Sequence, residues 1–249
     1  MGIPLTSAAA HSFVWSDPEI ISGRVDHLSS PEPLGIEHVQ IVLGLIGCGV
    51  DAPTTMLDLD GENSFISSVL LGEYPNLGAI VRRSGGGLLP STLQEYSSRI
   101  GHFRAKLSTS EWIQTLGLSS AFDVILGGST LETLTAPRKR QLFDEIIGLL
   151  QPGGLFLSIE RLPSATRWTG TFPDDLRIQA IFGATLAADP VASRTAIAKK
   201  HFTESPEPPS ASSVPLEVHL DWLREAGFSS VDCYLATGGQ VVYGGQRSY

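Results

Sequence analysis

Several short stretches of this 249-residue chain carry side chains with the chemistry and spacing to act. Asp58, Asp60 and Glu62 stand on alternate residues of Leu57-Asp58-Leu59-Asp60-Gly61-Glu62. Three such acids either attract a cation or lie exposed as a solvated loop. Arg82-Arg83 run into Ser84-Gly85-Gly86-Gly87, where two guanidinium groups beside a glycine turn can hold a phosphate. With no Gly-x-Gly-x-x-Gly ahead of them, a solvated turn explains the same residues. Glu160-Arg161, Gly127 with Ser129, and Trp168 are candidates to line a small-molecule pocket. His201 and His219 can each serve as a general base or sit on the surface. No Ser-His-Asp or Cys-His arrangement follows from spacing, so no catalytic residue is assigned.

The elements that must hold these residues alternate. Short apolar runs near 55–59, 77–81, 103–107, 122–126 and 155–159 read as strands. Helical spacing of apolar residues covers 36–46, 65–72, 93–100 and the stretch after Pro137, where Leu142, Phe143, Ile146, Ile147, Leu149 and Leu150 form a wide face ended by Pro152-Gly153-Gly154. Such alternation predicts an α/β fold with a doubly wound, mostly parallel sheet. Gly44-Leu45-Ile46-Gly47-Cys48-Gly49 allows a glycine-rich ligand loop, but too few residues separate it from the strand at 55 for a crossover helix, which favours a helix terminus. Glu160-Arg161 then falls at the carboxyl edge of the fifth strand, where this architecture takes its ligands.

Residues 161–215 break the alternation with two helical stretches, 174–188 and 191–201, and a Pro/Ser-rich linker over 205–215. This predicts a helical lid inserted over the strand ends, with Trp168, Phe172, Phe182 and Phe202 favouring an apolar or aromatic ligand. A last amphipathic helix, 216–226, leads to strands near 231–235 and 241–244, an antiparallel hairpin on the sheet edge. Residues 1–35 read as an N-terminal arm without a core, ahead of one domain over 36–249.

Composition narrows the function classes. Hydrophobic residues make up 42% and charged residues 17%, which excludes global disorder. A formal charge of -9 repels phosphate backbones and anionic lipid, so neither a nucleic acid nor a membrane surface is an expected partner. The longest apolar run, 39–50, falls well short of the roughly 20 residues that span a bilayer. The N-terminus lacks the pattern of a secretory signal. Cys48 and Cys233 are the only cysteines and have no companions at metal-ligand spacing, which fits a reducing cytoplasm and no metal site.

Three pieces of the chain resemble the class I S-adenosylmethionine (SAM)-dependent methyltransferases of the small-molecule branch, over about residues 36–247. They are Phe122-Asp123-Val124-Ile125, the helix from Leu142 to Leu150 with its Pro-Gly-Gly turn, and His219-Leu220-Asp221-Trp222-Leu223-Arg224-Glu225-Ala226-Gly227-Phe228. The resemblance implies a Rossmann-like methyltransferase fold, with SAM held at the ends of the first three strands. At those ends the chain departs from the family. Asp58 is kept, Gly61 falls in the loop, and Asp60, Glu62 and Ser64 stand where the family has glycine. Arg83 replaces the acid that accepts the ribose hydroxyls, and an arginine cannot accept a hydrogen bond. The third acid is missing around Ser108. The expectation is a methyltransferase-like chain that has lost standard SAM binding. It would work as a non-catalytic partner or regulator of another protein, or with a repurposed small-molecule pocket. The alternative is an active SAM-dependent methyltransferase acting on a small apolar acceptor.

Overall fold

The computed structural model describes residues 36–61, 65–83, 89–117, 122–162, 178, 182, 193–197, 199, 214–237 and 240–249. Three apolar segments form its centre: β1 (Thr55–Asp58), β4 (Phe122–Gly127) and β5 (Leu150–Arg161). Central parallel strands are covered on both faces, and Met56, Leu57, Val124, Ile125, Phe156 and Leu157 are accordingly at most 1% exposed. β2 (Gly78–Arg83) and β3 (Ile100–Arg104) extend the sheet on one side. β6 (Phe228–Thr237) and β7 (Gln240–Arg247) extend it on the other, with β7 antiparallel to β5 and β6 antiparallel to β7. The strand order is β3-β2-β1-β4-β5-β7-β6, the doubly wound sheet with an edge hairpin that the alternation predicts.

Helices cover both faces. α1 (Ile36–Gly49) and α2 (Phe65–Glu73) bury Val39, Val42, Ile46, Phe65 and Leu70 on one side. α6 (Ala136–Leu149) and α7 (Leu216–Ala226) bury Leu142, Phe143, Ile146 and Leu223 on the other. Each such side chain contributes roughly 1.5–3 kcal/mol through burial. The short helices α3 (Ser91–Gln94), α4 (Trp112–Leu116) and α5 (Ser129–Glu132) fill turns between strands; the sequence pattern does not announce the last two.

Four expectations are corrected by tertiary contacts. α1 does not stop at 46 but runs through Gly47 to Gly49, which also excludes a glycine-rich ligand loop there. A Cβ on residue 49 would lie 2.7 Å from Leu155 Cδ1, so this glycine serves close helix-sheet approach. β3 begins at 100 rather than 103 and little of the preceding helix remains. Arg99 explains this: its guanidinium donates to the carbonyls of Leu71, Tyr74, Pro75 and Leu77, which fixes the chain for Ile100 to pair with Ala79. β5 begins at Leu150, and Pro152-Gly153-Gly154 form an irregularity inside it, between the Phe122–Leu150 and Val124–Leu155 pairs; Gly153 takes φ 79°. The hairpin strands are longer than 231–235 and 241–244 because their pairing runs from Phe228–Arg247 to Thr237–Gln240.

Residues 1–35, expected to form an arm, lie outside the described residues, as does nearly all of the 161–215 segment expected to form a lid. Within that segment Ile178, Phe182 and 194–197 are helical, and Ile178 is buried.

Candidate functional site

Strand order reverses between β1 and β4, and the crevice at such a reversal is where an open α/β sheet binds ligands. A cavity lies there, at the carboxyl ends of β1, β4 and β5. Among the described residues it is lined by Asp58, Asp60, Gly127, Ser129, Glu160 and Arg161, by the apolar side chains of Val42, Ile66, Leu126, Leu157 and Ile159, and by Gly128, Glu132 and Gln240.

Asp58 ends β1 and is 3% exposed. Its Oδ1 accepts the Asp60 amide at 2.8 Å and its Oδ2 accepts the Ser67 hydroxyl of α2 at 2.5 Å. Burial pushes its carboxyl up to about 6; the Ser67 hydrogen bond opposes the rise and the neighbouring Asp60 charge adds to it.

Asp60 turns across the crevice. Its carboxylate accepts the Ser129 and Thr130 amides at 3.0 and 3.1 Å, the Thr130 hydroxyl at 2.6 Å and the Ser129 hydroxyl at 3.1 Å. Four donors from the start of α5 thus meet one side chain from the end of β1. Burial raises the Asp60 pKa and the Thr130 and Ser129 hydrogen bonds oppose the rise.

Arg82 closes the same end from the β2 side. Its side chain shares a face with Ile80 and folds over β1, where Nε donates to Leu59 O at 2.6 Å and Nη2 to Thr130 Oγ1 at 2.8 Å; Nη1 reaches Ala105 O at 3.3 Å. Gly61 lets the turn lie against β2: a Cβ there would sit 2.2 Å from Arg82 O.

The far end of the cavity rests on a buried ion pair. Glu160 accepts Lys139 Nζ at 2.6 Å, Ser158 Oγ at 2.7 Å and the Tyr243 hydroxyl at 2.5 Å. His219 stacks on Tyr243 at 5.6 Å between centroids and 9° between planes. Burial lowers His219 to about 4, helped by the Lys139 charge. Neither of its ring nitrogens has a hydrogen-bond partner among the described residues. At the rim, Glu132 accepts the Arg161 amide at 2.7 Å and pairs with its guanidinium at 3.4 Å.

Asp58, Asp60, Gly127, Ser129, Glu160 and Arg161 therefore meet around one cavity, and the remaining candidates among the described residues do not. Gly61 packs on β2 backbone instead of lining the space. Arg83 is half-buried on the opposite face from Arg82 and lies outside the lining; Ser108 is exposed in a turn whose neighbours Leu107 and Thr109 are tied by their carbonyls to Arg138. Glu62 and Trp168 lie outside the described residues, as do Ser64, His201, Phe172 and Phe202. Asp58 and Asp60 are not an exposed acidic loop, and among the described residues no three His, Cys, Asp or Glu are grouped to hold a metal ion. Arg82 is not in a solvated turn and His219 is not on the surface; both are buried. Sequence reasoning missed Ser67, Thr130, Lys139 and Tyr243. Only Lys139 left a signal, as a lysine on the apolar side of α6. No helix among the described residues is long and apolar enough to cross a membrane.

The sequence matches no family model and no curated protein. Its fold is similar to that of several solved structures. A putative O-methyltransferase from Nostoc punctiforme aligns with TM-score 0.58 and 15% identity over 99% of this chain and 64% of its own. An O-methyltransferase family protein from Burkholderia thailandensis gives 0.54 and 18% over 91% and 62%. Human N-acetylserotonin methyltransferase, in complex with SAM, gives 0.52 and 13% over 85% and 52%. The chain thus spans between about half and two thirds of the length of each. At these identities the likeness is one of fold, and that fold is the Rossmann-like fold of the class I SAM-dependent methyltransferases.

Proposed function

We propose that this chain is a methyltransferase-fold protein that does not bind SAM in the standard way, and that it acts as a non-catalytic partner or regulator, or through a repurposed small-molecule pocket. The observation that carries this reading is the Asp60 carboxylate, at the position of the first glycine of the family loop, bonded across the crevice to Ser129 and Thr130. A cofactor laid on glycine backbone needs that space free of side chains. Arg82 adds a second buried side chain over the end of β1. The donors that a ligand could use there, Ser129 N and Thr130 N, are already taken by a protein carboxylate. The residues present therefore do not fit the cofactor.

A second reading, an active methyltransferase on a small apolar acceptor, draws on the retained Asp58 and on the apolar wall of Val42, Ile66, Leu126, Leu157 and Ile159. Thermal unfolding with and without SAM separates the two. A ligand at a hundred times its dissociation constant adds about 2.7 kcal/mol to stability and so moves the melting temperature by several degrees. No shift with SAM is expected on the first reading, and a clear shift on the second.

A further inference from the structure

A crevice at a strand-order reversal is a weak point, because the two halves of the sheet send their connections to opposite faces there and no crossover covers the gap. In this chain three side chains span it. Thr130 Oγ1 is their hub: it donates to Asp60 at 2.6 Å and accepts from Arg82 Nη2 at 2.8 Å. A hydroxyl has one proton to give, so these two bonds fix its orientation and tie the positions of Asp60 and Arg82 to one another. Arg82 in turn holds Leu59 O. Bonds thus run from the end of β1 to α5 and from α5 back through β2 to β1.

The backbone is shaped to admit this arrangement on both approaches. A Cβ on Gly128 would lie 2.3 Å from Asp60 Oδ2, and one on Gly61 would lie 2.2 Å from Arg82 O. α5 depends on it as well. Four residues do not make a helix stable in isolation, and no side chain of its own N-cap, Gly128, is available to satisfy the first amides. Asp60, in the turn after β1, supplies that acceptor.

The geometry points to a ligand-independent brace: Asp60, Thr130 and Arg82 hold the carboxyl ends of β1 and β2 and the start of α5 together, so that the order of the crevice rests on the protein's own side chains. This deepens the reading that the cleft is closed to SAM. It concerns the unliganded chain, however, and stands or falls without any SAM measurement.

Hydrogen exchange on the full chain, without ligand, tests it in wild type, Asp60→Ala and Thr130→Val. Thr130→Val changes a single hydroxyl and keeps the β-branched shape, so it carries the test if Asp60→Ala does not fold. Loss of the brace exposes amides that were paired, and exchange at 129–132 and at 59–61 is expected to rise about tenfold or more in Thr130→Val, while the β6–β7 hairpin keeps its wild-type protection. Unchanged exchange at 129–132 and 59–61, or a rise spread evenly over the chain including the hairpin, overturns the proposal. Since no SAM is present, either result leaves the binding question to its own experiment.

Discussion

Residue 128 is glycine because Asp60 occupies the volume its side chain would need. A Cβ there would meet Asp60 Oδ2 at 2.3 Å and Asp60 Cγ at 2.8 Å, whereas the backbone at 128, with φ -175°, is extended and open to any residue. The constraint is therefore steric and not torsional. Gly128→Ala is expected to destabilise the protein by about 1–3 kcal/mol through overpacking. In Asp60→Ala the same change should have a smaller effect, giving a coupling of about 1–2 kcal/mol for the contacting pair. Urea unfolding of the four proteins measures it, and additive effects would contradict the contact.

Asp58 and His219 oppose one another in the pH dependence of stability. Asp58 rises from 3.8 to about 6 on folding, so its contribution is complete below pH 3.8 and lost as pH rises through 6. His219 falls from 6.5 to about 4, so its contribution is complete above pH 6.5 and lost as pH falls through 4. Each shift is worth about 3 kcal/mol at 1.36 kcal/mol per unit. Between about pH 4 and 6 the two slopes cancel in the wild type. Asp58→Asn, whose amide can donate to Ser67 and still accept from the Asp60 amide, should lose stability towards acid; His219→Phe should gain it. Melting temperatures across this range check both signs.

Lys139 and Glu160 form an ion pair whose side chains are 2% and 0% exposed. Breaking such a pair from one side leaves a buried charge and costs about 3–5 kcal/mol. Lys139→Met should show a loss of that size by urea unfolding, and adding Glu160→Gln should restore much of it. A single-variant loss below about 1 kcal/mol, the value for exposed pairs, would contradict the burial of this network.

How far the sequence can be read depends on whether a feature is periodic. Strand centres and the faces of α6 and α7 follow from apolar spacing, so the doubly wound sheet and its hairpin were legible. Element ends were not, since Arg99 and the close approach of Gly49 to Leu155 act between residues far apart in the chain. At the site, Asp60 and Glu160 stood out as acids at strand ends, and their placement follows from the topology. Their partners did not, because a hydroxyl such as Thr130 or Tyr243 carries no charge or spacing to mark it. The sequence pointed to Arg83, by its place opposite the family's ribose acid, whereas Arg82 is the one that reaches Leu59 and Thr130. The choice turns on which face of β2 each one takes, and both are equally basic.

A calorimetric titration of the full chain with SAM reads whether the crevice is closed to it. A micromolar complex needs about -8.2 kcal/mol. With Asp60 across the crevice and Arg82 over the end of β1, a ligand would lose both room and the Ser129 and Thr130 amide donors, and hydrogen bonds to charged groups are worth roughly 1.5–3 kcal/mol each. No measurable heat of binding is expected at micromolar SAM, and the affinity is expected to be about millimolar or weaker. A dissociation constant below about ten micromolar, on the order of -7 kcal/mol or stronger, would contradict it and put the active methyltransferase reading first.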